Sequence, residues 1–217
     1  MMHATGFVQS RMAVRNLQHA ARFARLCQQI ERETVNADFA DSRYHEIEAY
    51  AVAGIQLSVA SIEANLNEIL EDTPKFGCRL SDGAFRKVWE VWEKKPTLDK
   101  YQLVLLLLEK SEMPRGESIY QNTKALIDLR NVFVHFRPIN DNEANQPTDE
   151  LLHKFTPNRF FTRKENLVPQ GCMSHSCLVW AVNTSLGFTR EFLSRSQLRS
   201  IFNSRDDSHF ATSEDVE

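Results

Sequence analysis

Glycine and proline are scarce in this chain, seven of each in 217 residues, and almost no stretch alternates apolar with polar residues. Turn formers punctuate sheets, and period-two alternation marks a half-buried strand, so their scarcity disfavours a sheet and leaves helices. Cysteine is also rare: Cys27, Cys78, Cys172 and Cys177 are scattered along the chain. The first residues, MMHATGFVQSRMAVR, lack the apolar run of about 7–15 residues that a secretory signal needs. The longest apolar stretch, residues 103–108, is far short of the ~20 residues that span a bilayer. The expectation is a soluble cytoplasmic protein with reduced thiols and no membrane partner. A basic excess is missing too. Lys and Arg number 26 against 29 Asp and Glu, a net charge of -3 with pI ≈ 6.2, whereas proteins that coat nucleic acid by bulk charge have pI above about 9. A local basic groove stays open. Neither a Gly-rich phosphate loop, nor paired catalytic carboxylates, nor a nucleophile elbow is found, and there is no repeat of 20–50 residues.

What is present is a hydrophobic fraction of 42% with 25% charged residues, enough core for one domain of generous size, or one domain with an added arm. Apolar residues recur at steps of three and four. The spacing predicts a polar, Arg-rich helix over residues 10–35, with Leu17, Ala21, Ala24 and Ile30 as its seam. A long helix follows over 42–72, capped by Asp41 or Ser42, with Val52, Ile55, Val59, Ile62, Leu66 and Ile69 facing the core. A short aromatic helix at 84–95 is ended by Pro96, and its Trp89 and Trp92 are read as packing. The helix at 98–111 carries an LVLLLL block read as buried on most sides. Pro114 and Gly116 precede a helix over 117–136 that Arg137-Pro138 stops. Residues 148–170 mix a short helix with basic, Phe-rich sequence, and 172–196 form the last long helix. The organisation expected is all-α: an N-terminal helical arm at 1–42, a helical bundle of four to five core helices at 43–203, and a disordered acidic tail at 204–217.

The helix at 117–136 carries the chemistry. At about 100° per residue, Ile119, Leu126, Leu129, Phe133 and Phe136 fall on one stripe that must face the core. Lys124, Asp128, Asn131 and His135 line the opposite side. Asn131 and His135 are one turn apart and can meet, and the long stem of Arg130 would let its guanidinium reach round to the same face. Imidazole gives and takes protons near neutral pH, and guanidinium holds phosphate in a bidentate fork. For a phosphodiester with a neighbouring 2′-hydroxyl this pairing suffices without a metal, one group moving the proton and the other stabilising charge on the phosphoryl oxygens. The plainer alternative is a solvated helix face that happens to carry a histidine.

The string Leu129-Arg130-Asn131-Val132-Phe133-Val134-His135, on the penultimate major helix of an all-α chain, resembles the Arg-x(4–6)-His signature of the HEPN superfamily, in many members of which Asn follows the Arg. The context is similar as well: an early long helix with the polar string Ser61-Ile62-Glu63-Ala64-Asn65-Leu66-Asn67-Glu68, then the motif helix, a polar loop and a final helix. The resemblance covers residues 43–196. It implies a HEPN-like bundle of four or five helices that dimerises and brings two motifs across a cleft. It also implies a metal-independent endoribonuclease, of the kind that serves as a toxin, in phage defence or in RNA processing, and that cuts by 2′-hydroxyl attack to leave a cyclic phosphate. Carried onto this chain, His135 would be the general base or acid, Arg130 would hold the scissile phosphate, and Asn131 would orient one of them. The implied partners are single-stranded or looped RNA, a second copy of the chain and an antitoxin or regulatory protein. Toxins of the HEPN–MNT pairs often continue His-x-Tyr, whereas here His135-Phe136-Arg137 follows, which sets this chain outside that subgroup. Other members have lost catalysis and bind nucleotides or partners.

Glu63 and Asn67, one turn apart on the polar side of the second long helix, are candidates to support His135 or Arg130, or else part of a solvated face. Residues 153–164 (HKFTPNRFFTRK) could stack bases and grip phosphates through Arg159, Arg163 and Lys164, or place their phenylalanines in the core. Cys172, His175 and Cys177 lack an evident fourth ligand for structural zinc, and buried cysteines acting as small hydrophobes are the default. No metal and no cofactor is expected.

Overall fold

The structure, a computed structural model, describes residues 11–33, 42–71, 81–135, 151, 153–158, 168–198, 202 and 208–213. Among these residues the architecture is all-α, with no strand. Six α-helices are formed: α1 (Met12–Glu33), α2 (Ser42–Glu71), α3 (Asp82–Trp92), α4 (Thr97–Leu107), α5 (Ser118–Val134) and α6 (His175–Ser196). Two 3-10 turns, Gln170–Cys172 and Ser208–Phe210, complete the set.

The centre of the molecule is α2, whose 30 residues reach about 45 Å at ~1.5 Å per residue. Its predicted stripe is buried at Ile55, Val59, Ile62 and Leu66 and half-buried at Val52 and Ile69. The buried surface is wider than that stripe and includes Ser58, Ser61 and Asn65, because α1 packs on one side of α2 and α6 on another. Each of these polar side chains is satisfied. Ser58 Oγ donates to the Gly54 carbonyl (2.8 Å), Ser61 Oγ to the Ala13 carbonyl (2.7 Å), and Asn65 Nδ2 to the Tyr101 hydroxyl (3.0 Å).

Expected as an arm outside the bundle, α1 is instead one of its layers. Its seam of Ala13, Leu17, Ala20, Ala21, Ala24, Cys27 and Ile30 is buried, and the many alanines let it lie close along α2. The two run antiparallel. Cys27 Sγ approaches the Ile47 carbonyl towards one end, and at the other the Ala13 N–H donates to Glu68 Oε1 at 2.9 Å. The far end of the chain differs in the same sense. Within the stretch expected as a loose tail, Phe210 is buried and stacks on Phe202 with ring centroids 5.9 Å apart. Arg25 Nη1 donates to the Ala211 carbonyl, and His175 Nε2 lies 3.1 Å from the Thr212 carbonyl. An aromatic anchor and two backbone contacts hold residues 208–213 on α1 and α6, against what their polarity alone implies.

Helix α6 crosses α2 where Gly54 meets the Leu178 side chain and Ser185 Oγ donates to the Ser58 carbonyl at 2.9 Å. Helix α4 joins through Tyr101, which stands edge-on between Phe188 and Phe192 at 4.9 and 4.6 Å and donates to the Ile62 carbonyl at 2.7 Å. Of the apolar block on α4, Leu103, Val104 and Leu105 are buried, but Leu106 is 61% exposed. Helix α5 lies antiparallel to α6. Arg195 pairs with Glu117 at 2.9 Å, and further along Ile119 packs on Gly187. No helix among the described residues is long and apolar enough to cross a membrane.

Candidate functional site

Helix α5 presents the motif at its C-terminal end. Tyr120, Thr123, Ala125, Leu126 and Leu129 are buried, while Ile119 and Phe133 of the expected stripe are half-buried; Phe136 lies outside the described residues. On the other side Lys124 and Asp128 form an i,i+4 ion pair at 2.8 Å, and Asn131 and His135 are exposed. The helix closes at Val134, two residues earlier than the spacing predicts, and His135 is its capping residue (φ -117, ψ 34) with its N–H on the Asn131 carbonyl at 2.8 Å. In the sequence, Pro138 has no N–H for a helical bond to the carbonyl four residues back, which disfavours carrying the helix further.

Arg130 does not turn to the Asn131–His135 face. Its Nη2 donates to Glu63 Oε1 of α2 at 2.5 Å, with the two side chains 23% and 40% exposed. Its Nε is buried without a hydrogen-bond partner among the described residues. Positions 130 and 135 are five residues apart, about 140° around a helix. The flexible stem that could have closed this angle goes instead to the nearest carboxylate, where a charge-assisted hydrogen bond offsets its partial burial. Glu63 is therefore brought to Arg130 and not to His135. Asn67, one turn beyond Glu63, is exposed and makes no hydrogen bond to the motif residues. In one chain the imidazole and amide share a surface patch, and the guanidinium sits beside them on the α2–α5 seam. Arg159, Arg163 and Lys164 lie outside the described residues.

The cysteine and histidine run at 172–177 serves the core. Cys172, Cys177 and Cys27 are all fully buried thiols. Burial pushes the Cys177 thiol well above its ordinary range, and the neighbouring Cys172 and Cys27 push it further; burial does the same to Cys27. Thiols held protonated are poor ligands and poor nucleophiles. The His175 backbone N–H donates to Glu31 Oε1 at 2.7 Å. No group of three or more His, Cys, Asp or Glu among the described residues is placed to hold a metal ion. Trp89 is half-buried, with the Lys100 ammonium 5.6 Å above its ring.

Residues 153–158 pack on α5 and α6. Lys154 Nζ donates to Asn122 Oδ1 at 2.6 Å, Phe155 tilts against Trp180 at 5.5 Å, and the Thr156 carbonyl accepts from Ser174 Oγ at 3.0 Å. The sequence marked Lys154 and Phe155 by their basic-aromatic context. It gave no sign of Asn122, Trp180 or Asn183, polar or aromatic positions that become neighbours only when α5 and α6 pack. Compared with family models, with curated proteins and with solved structures, the chain matches none.

Proposed function

We propose that this protein is a metal-independent endoribonuclease of the HEPN type, acting as a homodimer on single-stranded or looped RNA, in a toxin or defence role and under control of an antitoxin or other regulatory protein. The observation that carries the reading is the exposed Asn131–His135 pair at the end of α5, with Arg130 beside it, in an all-α bundle. A catalytic imidazole must reach solvent-borne substrate, and this one does. In the proposed reaction the 2′-oxygen attacks phosphorus, His135 of one copy accepts its proton, and the bond to the 5′-oxygen breaks as that oxygen takes a proton from water. The product is a 2′,3′-cyclic phosphate. Arg130 holds the non-bridging oxygens and Asn131 orients the imidazole. The separation of Arg130 from His135 within one chain supports a site that two chains share. The test is RNA cleavage by the purified protein in excess EDTA, wild type against His135→Ala, with both shown folded by circular dichroism. Cleavage by wild type alone, leaving cyclic ends, is the expected result. Equal cleavage by both removes His135 from the site.

One observation favours a second reading. The Arg130 guanidinium is already engaged by Glu63, as it would be in a non-catalytic nucleotide-binding or protein-interaction module. That reading predicts ligand or partner binding without turnover and indifference to His135→Ala.

A further inference from the structure

An open groove of about 400 Å³ lies between the first half of α5, the first half of α6 and residues 153–158. Small-ligand sites occupy about 300–1,000 Å³. Its lining combines three chemistries. Among the described residues Lys154 supplies the one cation, and no carboxylate lines the groove. An ammonium has three donors; Asn122 Oδ1 takes one at 2.6 Å, and Lys154 forms no ion pair among the described residues. Asn122 and Asn183 add carboxamides, each able to donate and accept, and Ser176 and Thr184 add hydroxyls. Trp180 adds a flat apolar face, steadied by Phe155. Its indole nitrogen is buried and meets no acceptor among the described residues.

Ser176 stands in the first turn of α6, a helix of 22 residues whose N-cap is Ser174. The Glu31 carboxylate already takes the His175 N–H of that helix start and Ser174 Oγ the Cys177 N–H, so the positive group offered to the groove is the Lys154 ammonium.

A ligand matching this set has an anionic group for Lys154, an aromatic plane for Trp180, and edge donors and acceptors for the two asparagines. We propose that the groove binds a nucleoside phosphate, with the phosphate at Lys154 and the base against Trp180. The same chemistry comes from a free nucleotide or from one nucleotide of an RNA strand. The inference stands on the groove's own residues and is independent of the Arg130–His135 reading.

The experiment titrates the full chain, by calorimetry and tryptophan emission, with the four nucleoside 5′-monophosphates, their nucleosides, inorganic phosphate and a single-stranded RNA octamer. The expected result is saturable binding of at least one monophosphate or of the octamer, weakened by added salt and weakened about tenfold or more in Lys154→Met. Trp180→Phe retains a ring, so it should keep most of the binding while removing the emission change. Monophosphates binding and the octamer not binding identifies a free nucleotide; the reverse identifies a strand. Inorganic phosphate or the bare nucleosides binding as well as the nucleotides overturns the proposal. So does binding unchanged in a folded Lys154→Met, or no binding of any of these probes. Because Arg130 and His135 are untouched, a protein that cuts no RNA yet binds here keeps this inference and fails only the ribonuclease reading.

Discussion

Arg130 sets two requirements against each other. A guanidinium that contacts phosphate must be within reach of solvent, yet this one is three-quarters covered and spends a hydrogen bond on Glu63. Exposed pairs contribute about 0–1 kcal/mol, and fully buried ones lose 3–5 kcal/mol when one partner is removed. With both partners part-exposed, Glu63→Gln is expected to lower stability by about 1 kcal/mol, read from urea unfolding. A double-mutant cycle with Arg130→Met isolates the coupling, and a coupling of zero would make the pair a solvated contact. The same substitution frees the guanidinium, so any RNA binding by Arg130 should tighten rather than weaken. Tyr101 makes a sharper case because it is wholly buried. Tyr101→Phe leaves Asn65 Nδ2 without its acceptor, and an orphaned buried donor costs about 1–3 kcal/mol. A loss under ~0.5 kcal/mol would mean that water or another acceptor replaces the hydroxyl.

Helix contacts in this bundle are close at Gly54 and Gly187, and these two glycines should respond in opposite ways. A Cβ at Gly54 would come within 2.5 Å of Leu178 Cδ2, and Leu178 is fully buried. Moving it disturbs a packed core, at about 1–3 kcal/mol, which exceeds the ~1 kcal/mol that alanine gains in helix propensity. At Gly187 the neighbour is the tip of the half-buried Ile119 side chain at 3.3 Å, which can give way. Gly54→Ala should therefore lower the melting temperature, while Gly187→Ala should leave it unchanged or raise it. A shift of equal sign at both would refute this account of the helix contacts. Ser174→Ala removes the N-cap of α6, whose oxygen accepts from Cys177 N at 3.1 Å, for a loss of about 1 kcal/mol. All six helices could be read from the spacing of apolar residues, because a core-facing stripe is a local property of sequence. Three things could not. The seam of α1 was legible at Leu17, Ala21, Ala24 and Ile30, but its arginines and its weakly hydrophobic alanines gave no sign that α2 would cover it as a layer of the bundle. The docking of Phe210 rests on one aromatic residue in a polar context. The direction of Arg130 depends on a carboxylate 67 residues away, which no local pattern encodes.

Across the whole molecule, buried acids tie stability to alkaline pH. Cys27, Cys177 and Tyr101 all hold their protons more tightly when folded, through burial first of all. In an unfolded chain thiols release protons near pH 8.5 and phenols near pH 10. Below about pH 8 both states keep these protons and their contribution is constant; above it the unfolded state binds fewer protons, so stability falls as pH rises. The urea midpoint should be flat from pH 7 to about 8 and decline by pH 10, and a midpoint flat throughout would sink the attribution. The helix ends have a different consequence. Glu68, near the end of α2, receives the first-turn N–H of α1, and Glu31, near the end of α1, receives the N–H that begins α6. Helix ends ordinarily fray independently, but here each start is tied to the finish of another helix. The amide hydrogens of Ala13 and His175 should accordingly exchange with deuterium only when two helices open together, giving the rim of the bundle a protection usually confined to its interior.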